Sequence, residues 1–104
     1  MSTLSSDAQI AALHEAAADA LERARVARAE RRPGGGGSAL QQASRIFERL
    51  CQAVRLDGSE ANESLVRVYD WLARSVRPEA RPDQGALEEA RDFARAVAEE
   101  GHQA

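Results

Sequence analysis

Leu40-Gln41-Gln42-Ala43-Ser44-Arg45-Ile46-Phe47-Glu48-Arg49-Leu50-Cys51-Gln52-Ala53-Val54 decides the fold class. Leu40, Ala43, Phe47, Leu50 and Val54 recur at alternating three- and four-residue steps, the spacing of one face of a helix that turns about 100° per residue. Ile46 and Cys51 widen this apolar stripe on either side. Nothing here follows the two-residue period of a strand, and no other segment does so. A helix with such a stripe must bury it, and with no strands available its partners must be helices. The helix is predicted over residues 39–56, opened by Ser38-Ala39-Leu40-Gln41 as a capping box, in which Ser accepts from a first-turn amide and Gln reaches back.

Upstream, Pro33 and Gly34 to Gly37 cannot continue a helix, so residues 33–38 read as a flexible Gly-rich linker. A phosphate-binding loop would need a Gly-Lys-Ser/Thr ending and a preceding strand, and neither is present. Before the linker, a helix is predicted over 7–31, with Ser6-Asp7-Ala8-Gln9 as its capping box. Ile10, Leu13, Ala17, Ala20, Leu21 and Ala24 fall on one side of it. Arg25, Arg28, Arg31 and Arg32 stand where the helix dipole is negative, and read as a solvated helix end.

Downstream, Asp57-Gly58-Ser59-Glu60 makes a tight turn into a helix over 60–77. Ala61, Leu65, Val68, Tyr69, Leu72 and Val76 line its expected inner face, while Val66 and Trp71 fall off that face on opposite flanks. A helix apolar this far round is either central in its bundle or partly reserved for a partner. Pro78 and Pro82 close it. Asp83 caps a last helix over 84–100, with Leu87, Ala90, Ala94 and Val97 inward, Phe93 beside them and Gly101 as its stop. Short connections make successive helices antiparallel, so the expected fold is all-α: an antiparallel up-down four-helix bundle forming a single domain over 1–104.

Composition narrows the function. The chain has 104 residues, 43% hydrophobic but only 4% aromatic, with alanine supplying much of the apolar share. All 14 positive residues are Arg, which with the Ala and Gly content reads as a compositional bias of the whole genome rather than a binding signature. A net charge of −3 repels phosphate at long range and argues against nucleic acid. The first residues lack the basic and apolar regions of a signal peptide, and no window approaches the ~20 apolar residues of a membrane span, so a cytoplasmic protein without membrane insertion is expected. A lone cysteine, Cys51, fits a reducing compartment and reads as a small buried hydrophobe.

Catalytic and metal chemistry find no foothold. His14 and His102 lie near opposite chain ends, and His14-Glu15 lacks the second His of a helical zinc site. The Glu-x-x-His motif of di-iron bundles is absent, and Glu88-Glu89 and Glu99-Glu100 belong to exposed faces. No enzyme, cofactor or metal is expected. Val66 and Trp71 either pack against helices one and four, or contribute to an apolar groove that receives an amphipathic helix of a partner.

From Ala43 to Gly101 the chain resembles the FliS-type flagellin export chaperones. The family's helix ending in Leu-Asp appears as Ile46, Leu50 and Leu56-Asp57. Its Leu-Tyr-Asp-Tyr helix appears as Leu65-Val66-Arg67-Val68-Tyr69-Asp70-Trp71-Leu72, and the start of its acidic last helix as Leu87-Glu88-Glu89-Ala90. Upstream, the family's Leu-Tyr-Asp-Gly-Ala is matched by Leu13-His14-Glu15-Ala16-Ala17, with His14 in place of Tyr, and Leu4-Ser5-Ser6-Asp7 resembles the capped approach to that helix. An N-terminal segment with Tyr and Gln, which in the family can lie over the flagellin groove, is expected to be missing. The resemblance implies a cytoplasmic chaperone that binds the disordered C-terminal segment of flagellin and prevents premature polymerisation before export. Candidate partner-binding residues are Ile10, Leu13, Ile46, Leu50, Val66 and Trp71, and Trp71→Ala or Val66→Asp is expected to weaken the complex without unfolding the bundle. The alternative is a helical structural or dimerisation module, or a regulatory adaptor, without flagellin binding. Self-association stays open under either.

Overall fold

A computed structural model describes residues 7–57 and 63–103. Four helices follow one another: α1 (Asp7–Ala29), α2 (Gly37–Asp57), α3 (Glu63–Ser75) and α4 (Gln84–Gln103), with a single 3-10 turn at Pro78–Ala80 between the last two. Ser6, the Gly58–Glu60 part of the expected turn, and Ala61 lie outside the described residues.

Cross-helix contacts fix the directions. Arg23 bonds Gln42 across α1 and α2, whereas Leu13 lines a cleft with Gln52 and Leu56 at the far end of α2. Ser44 bonds the carbonyl of Ala73, and Cys51 that of Val66, so α3 runs opposite to α2. Gln84 reaches the carbonyl of Arg25, while Arg95 and Ala98 sit beside Glu15 and Ala18, so α4 runs opposite to α1. The result is the expected all-α antiparallel bundle.

The bundle is not symmetric. α1 packs closely along both α2 and α4, and α2 packs along α3; α3 and α4 do not share such a close seam. α1 and α2 each have two close neighbours, α1 the more closely packed of the two, so α1 is central and α3 is not. Ala11, Ala17, Ala18, Ala20, Ala24 and Ala27 are all buried on it. Their small side chains let two neighbours approach from different sides, which suits an interior helix with apolar residues all round. Leu21, Leu40, Phe47, Leu50, Val76 and Leu87 supply the bulk of the core between these alanines. Ala98, rather than the half-buried Val97, closes the inner stripe of α4.

Helix ends differ from the expected boundaries for local reasons. α1 stops at Ala29, because Arg31 adopts a left-handed φ of 53°. The Arg31 amide then bonds the Arg28 carbonyl and the Arg32 amide that of Ala27, a closing pattern that usually places glycine where Arg31 stands. The expected linker forms consecutive turns, with Gly35 N–H donating to Arg32 and Gly37 N–H to Gly34. α2 begins at Gly37, inside that segment, so Ser38 lies within the helix rather than at its cap. Gly36 explains the early start. Its φ is +80°, and a Cβ there would stand 2.7 Å from the Ala24 Cα, so only glycine can seat the turn against α1. Its carbonyl accepts the Leu40 amide and opens the helix.

Asp83 caps α4 as expected, accepting from the Ala86 amide at 2.7 Å. Gly101 does not stop α4, which continues to Gln103, because glycine permits a left-handed stop without requiring one.

Candidate functional site

The separation of α3 from α4 leaves a groove of about 390 Å³ between them. Val68, Trp71, Leu72, Ser75 and Val76 form one wall, and Ala86, Glu89, Ala90 and Phe93 the other, with Pro82 at one end. Tyr69 and Phe93 meet edge-on beneath it, ring centroids 6.3 Å apart. Their bulk holds the helices apart where alanines would let them close.

α3 can form this wall because it carries two apolar stripes. Tyr69, Leu72, Ala73 and Val76 are buried, with Val66 packed against the core beside them. Leu65, Val68 and Trp71 form a second stripe facing out, and Trp71 is 62% exposed. The expected inner face is thus rotated: Leu65 and Val68 lie outside the core, and Val66 lies against it. Ala73, whose carbonyl takes the Ser44 hydroxyl bond, is one of the contacts that sets this rotation. Contiguous exposed apolar side chains beside a groove are the usual mark of a protein contact.

The six candidate residues do not form one surface. Trp71 alone lines the α3/α4 groove. Leu50 is fully in the core and Ile46 is 8% exposed, so neither presents a face to a partner in this conformation. Ile10, Leu13 and Val66 are half-buried and packed against the core. Leu13 also lines a second groove, of about 460 Å³, with Gln9, Ala12, Arg49, Gln52, Ala53 and the 78%-exposed Leu56. Val68 and Phe93 were not among the candidates. Their signal is the stripe Leu65, Val68, Trp71 and the position of Phe93 one step off the inner face of α4.

Beneath the groove is a buried polar pair. His14 is fully buried; its Nδ1 stands 2.7 Å from the Ile10 carbonyl and its Nε2 2.8 Å from the Tyr69 hydroxyl. A carbonyl can only accept, so Nδ1 carries the proton and Nε2 accepts from the Tyr69 O–H. Burial lowers the imidazole pKa, partly opposed by the Ile10 hydrogen bond, and burial raises that of Tyr69. Both groups are therefore neutral at pH 7.

On the other side of α4, Glu22 of α1 accepts from Arg25 and from Arg91, at 2.9 and 2.7 Å. The hydrogen bonds from Arg25 and then Arg91 bring its carboxyl down to about 2. This network tightens the α1/α4 seam and is placed for no chemistry. Among the described residues, no three His, Cys, Asp or Glu side chains converge as metal ligands would, and Cys51 is buried with its thiol directed at the Val66 carbonyl. No described helix is long and apolar enough to cross a membrane.

The profile of one family, described as Flagellar protein FliS, matches residues 1–103. The chain belongs to the FliS family. A FliS chain is a flagellar export chaperone, so its client is a protein of flagellar export. Neither curated proteins nor solved structures give a significant match. As a FliS protein, this chain presents the exposed stripe Leu65, Val68 and Trp71 where α3 leaves α4, and that groove is the candidate site.

Proposed function

We propose that this chain acts in the cytoplasm, holding the C-terminal segment of flagellin as an amphipathic helix in the α3/α4 groove until export. The observation that carries this reading is the exposure of Trp71 on the wall of an apolar groove, in a member of a flagellar export chaperone family. An unassembled flagellin segment that is disordered and amphipathic would aggregate or polymerise if left free. Folding it into a groove hides the apolar face that drives polymerisation. Trp71 supplies a large contact area with two rotatable bonds, the property that makes tryptophan a frequent energetic centre of interfaces. Among the six candidates Trp71 is the principal contact, while Leu13, beside Leu56, belongs to the separate α1/α2 groove. No catalytic step is involved.

Calorimetric titration with the C-terminal segment of the host flagellin tests this. A one-to-one complex with a large negative heat-capacity change is expected, because apolar surface is buried. Trp71→Ala weakens it by roughly 30-fold, about 2 kcal/mol, and leaves folding stability within about 0.5 kcal/mol. Val68→Asp is the companion variant. It replaces Val66→Asp, because Val66 packs on the core and a charge there would disturb the fold. Wild-type affinity in both variants would remove the groove from the account. No heat with any flagellin segment, together with a stable dimer, would favour a self-associating module instead.

A further inference from the structure

We propose that His14 and Tyr69 form an acid-sensitive latch that holds α3 on the bundle and so sets the shape of the α3/α4 groove. α3 is the shortest and most peripheral helix, packed mainly along α2. Ser44 and Cys51 of α2 bond its backbone, and Glu48 of α2 pairs with Arg77 just beyond it. The Tyr69–His14 hydrogen bond ties it to the central helix, α1.

That bond forms in one protonation state. With the Ile10 carbonyl fixing the proton on Nδ1, only a neutral imidazole offers a lone pair to Tyr69. A second proton turns Nε2 into a donor. The Tyr69 O–H must then rotate away into apolar surroundings, and a positive charge is left fully buried. Among the described residues, no carboxylate pairs with it. α3 offers only Tyr69, since Asp70 is half exposed and paired with Arg74. α4 offers the Phe93 ring, 6.4 Å away, and its Arg95 and Glu99 stand with Glu15 and Asp19 of α1 around a cleft on the outer α1/α4 face. The buried titratable side chain of α2 is Cys51. The charged ring reaches water by releasing Tyr69, and with it α3. Phe93 touches both rings and lines the groove, so the groove changes with the latch.

The inference concerns the free chain and stands whether or not flagellin is the client. The test follows the His14 ring by NMR from pH 8 to 4, with amide exchange of α3 and α1, Trp71 emission and far-UV circular dichroism alongside. Below the midpoint of His14, α3 protection, corrected for intrinsic exchange, should fall by up to about tenfold per pH unit, and more than that of α1. Trp71 emission should shift at the same midpoint while helicity persists. His14→Gln, which hydrogen-bonds without titrating, and His14→Phe should both abolish the shift. His14 titrating with no response in α3 would overturn the latch. So would the same Trp71 transition in either variant. Should a variant fail to fold, the coincidence of the His14 and α3 titrations in the wild-type chain decides the matter alone.

Discussion

α4 has two borders, and they are built in opposite ways. Toward α1 it meets a row of alanines and the Glu22–Arg25–Arg91 network, and the two helices lie close along their length. Toward α3 it meets Tyr69, Leu72, Val76 and Trp71, with Phe93 on its own side, and a groove remains. Small residues let the backbones approach, and the cleft that remains on that side is rimmed by the charged Glu15, Asp19, Arg95 and Glu99. Bulky ones stand the helices apart and leave part of their own area exposed. The same helix thus has a structural side and a side available to a client.

Breaking the structural side should cost the most. Leu87 is wholly buried at the foot of α4, and Leu87→Ala should destabilise the fold by about 2–5 kcal/mol in a denaturant melt. Next comes overpacking. Ala20→Leu on the fully buried face of α1 should cost about 1–3 kcal/mol, because a close-packed seam cannot admit the extra atoms without displacement. Ala86→Leu, on the half-buried groove wall, should cost less than about 0.5 kcal/mol in the same melt but block the groove to a helix. Equal losses from these two substitutions would erase the distinction between the borders.

The two borders should also separate by pH. The folded imidazole of His14 lies below its ordinary 6.5, so the unfolded chain takes up that proton first. The stability attached to His14 is complete above about 6.5 and is lost as the pH falls below it. Glu22 works lower. Its folded value of about 2 lies under the ordinary 4.5, so its contribution is present above about 4.5 and is lost as the pH falls toward 2. Glu22 is a third exposed, so solvent screens it and Glu22→Gln should cost less than about 1 kcal/mol. Stability curves should therefore bend twice. His14→Gln should remove the upper bend, and Glu22→Gln the lower one.

Much of this was legible in the residues. The stripe from Leu40 to Val54 fixed α2 and its buried side, and Asp83 announced the start of α4. The rotation of α3 was not legible. Leu65-Val68-Leu72-Val76 and Val66-Tyr69-Ala73-Val76 are both sound helical stripes, and periodicity cannot choose between them. The choice is made by tertiary contacts such as the Ser44 bond to the Ala73 carbonyl and the Tyr69 bond to His14. Ile46 and Leu50 illustrate the same limit: a residue on an apolar stripe is assigned to core or groove by which neighbour arrives. His14 looked like an isolated histidine because its partner lies 55 residues away. The early start of α2 at Gly37 depended on the contact between Gly36 and Ala24, which local capping signals do not contain.

The α3/α4 groove is proposed as the place where the client lies, and Trp71 reports on it directly because it is the chain's only tryptophan. Titrating the wild-type protein with a tryptophan-free C-terminal flagellin segment at pH 7.5 should move its emission to the blue, saturating at one segment per chain. Binding by calorimetry at the same stoichiometry with no change in Trp71 emission would place the client elsewhere and contradict the account.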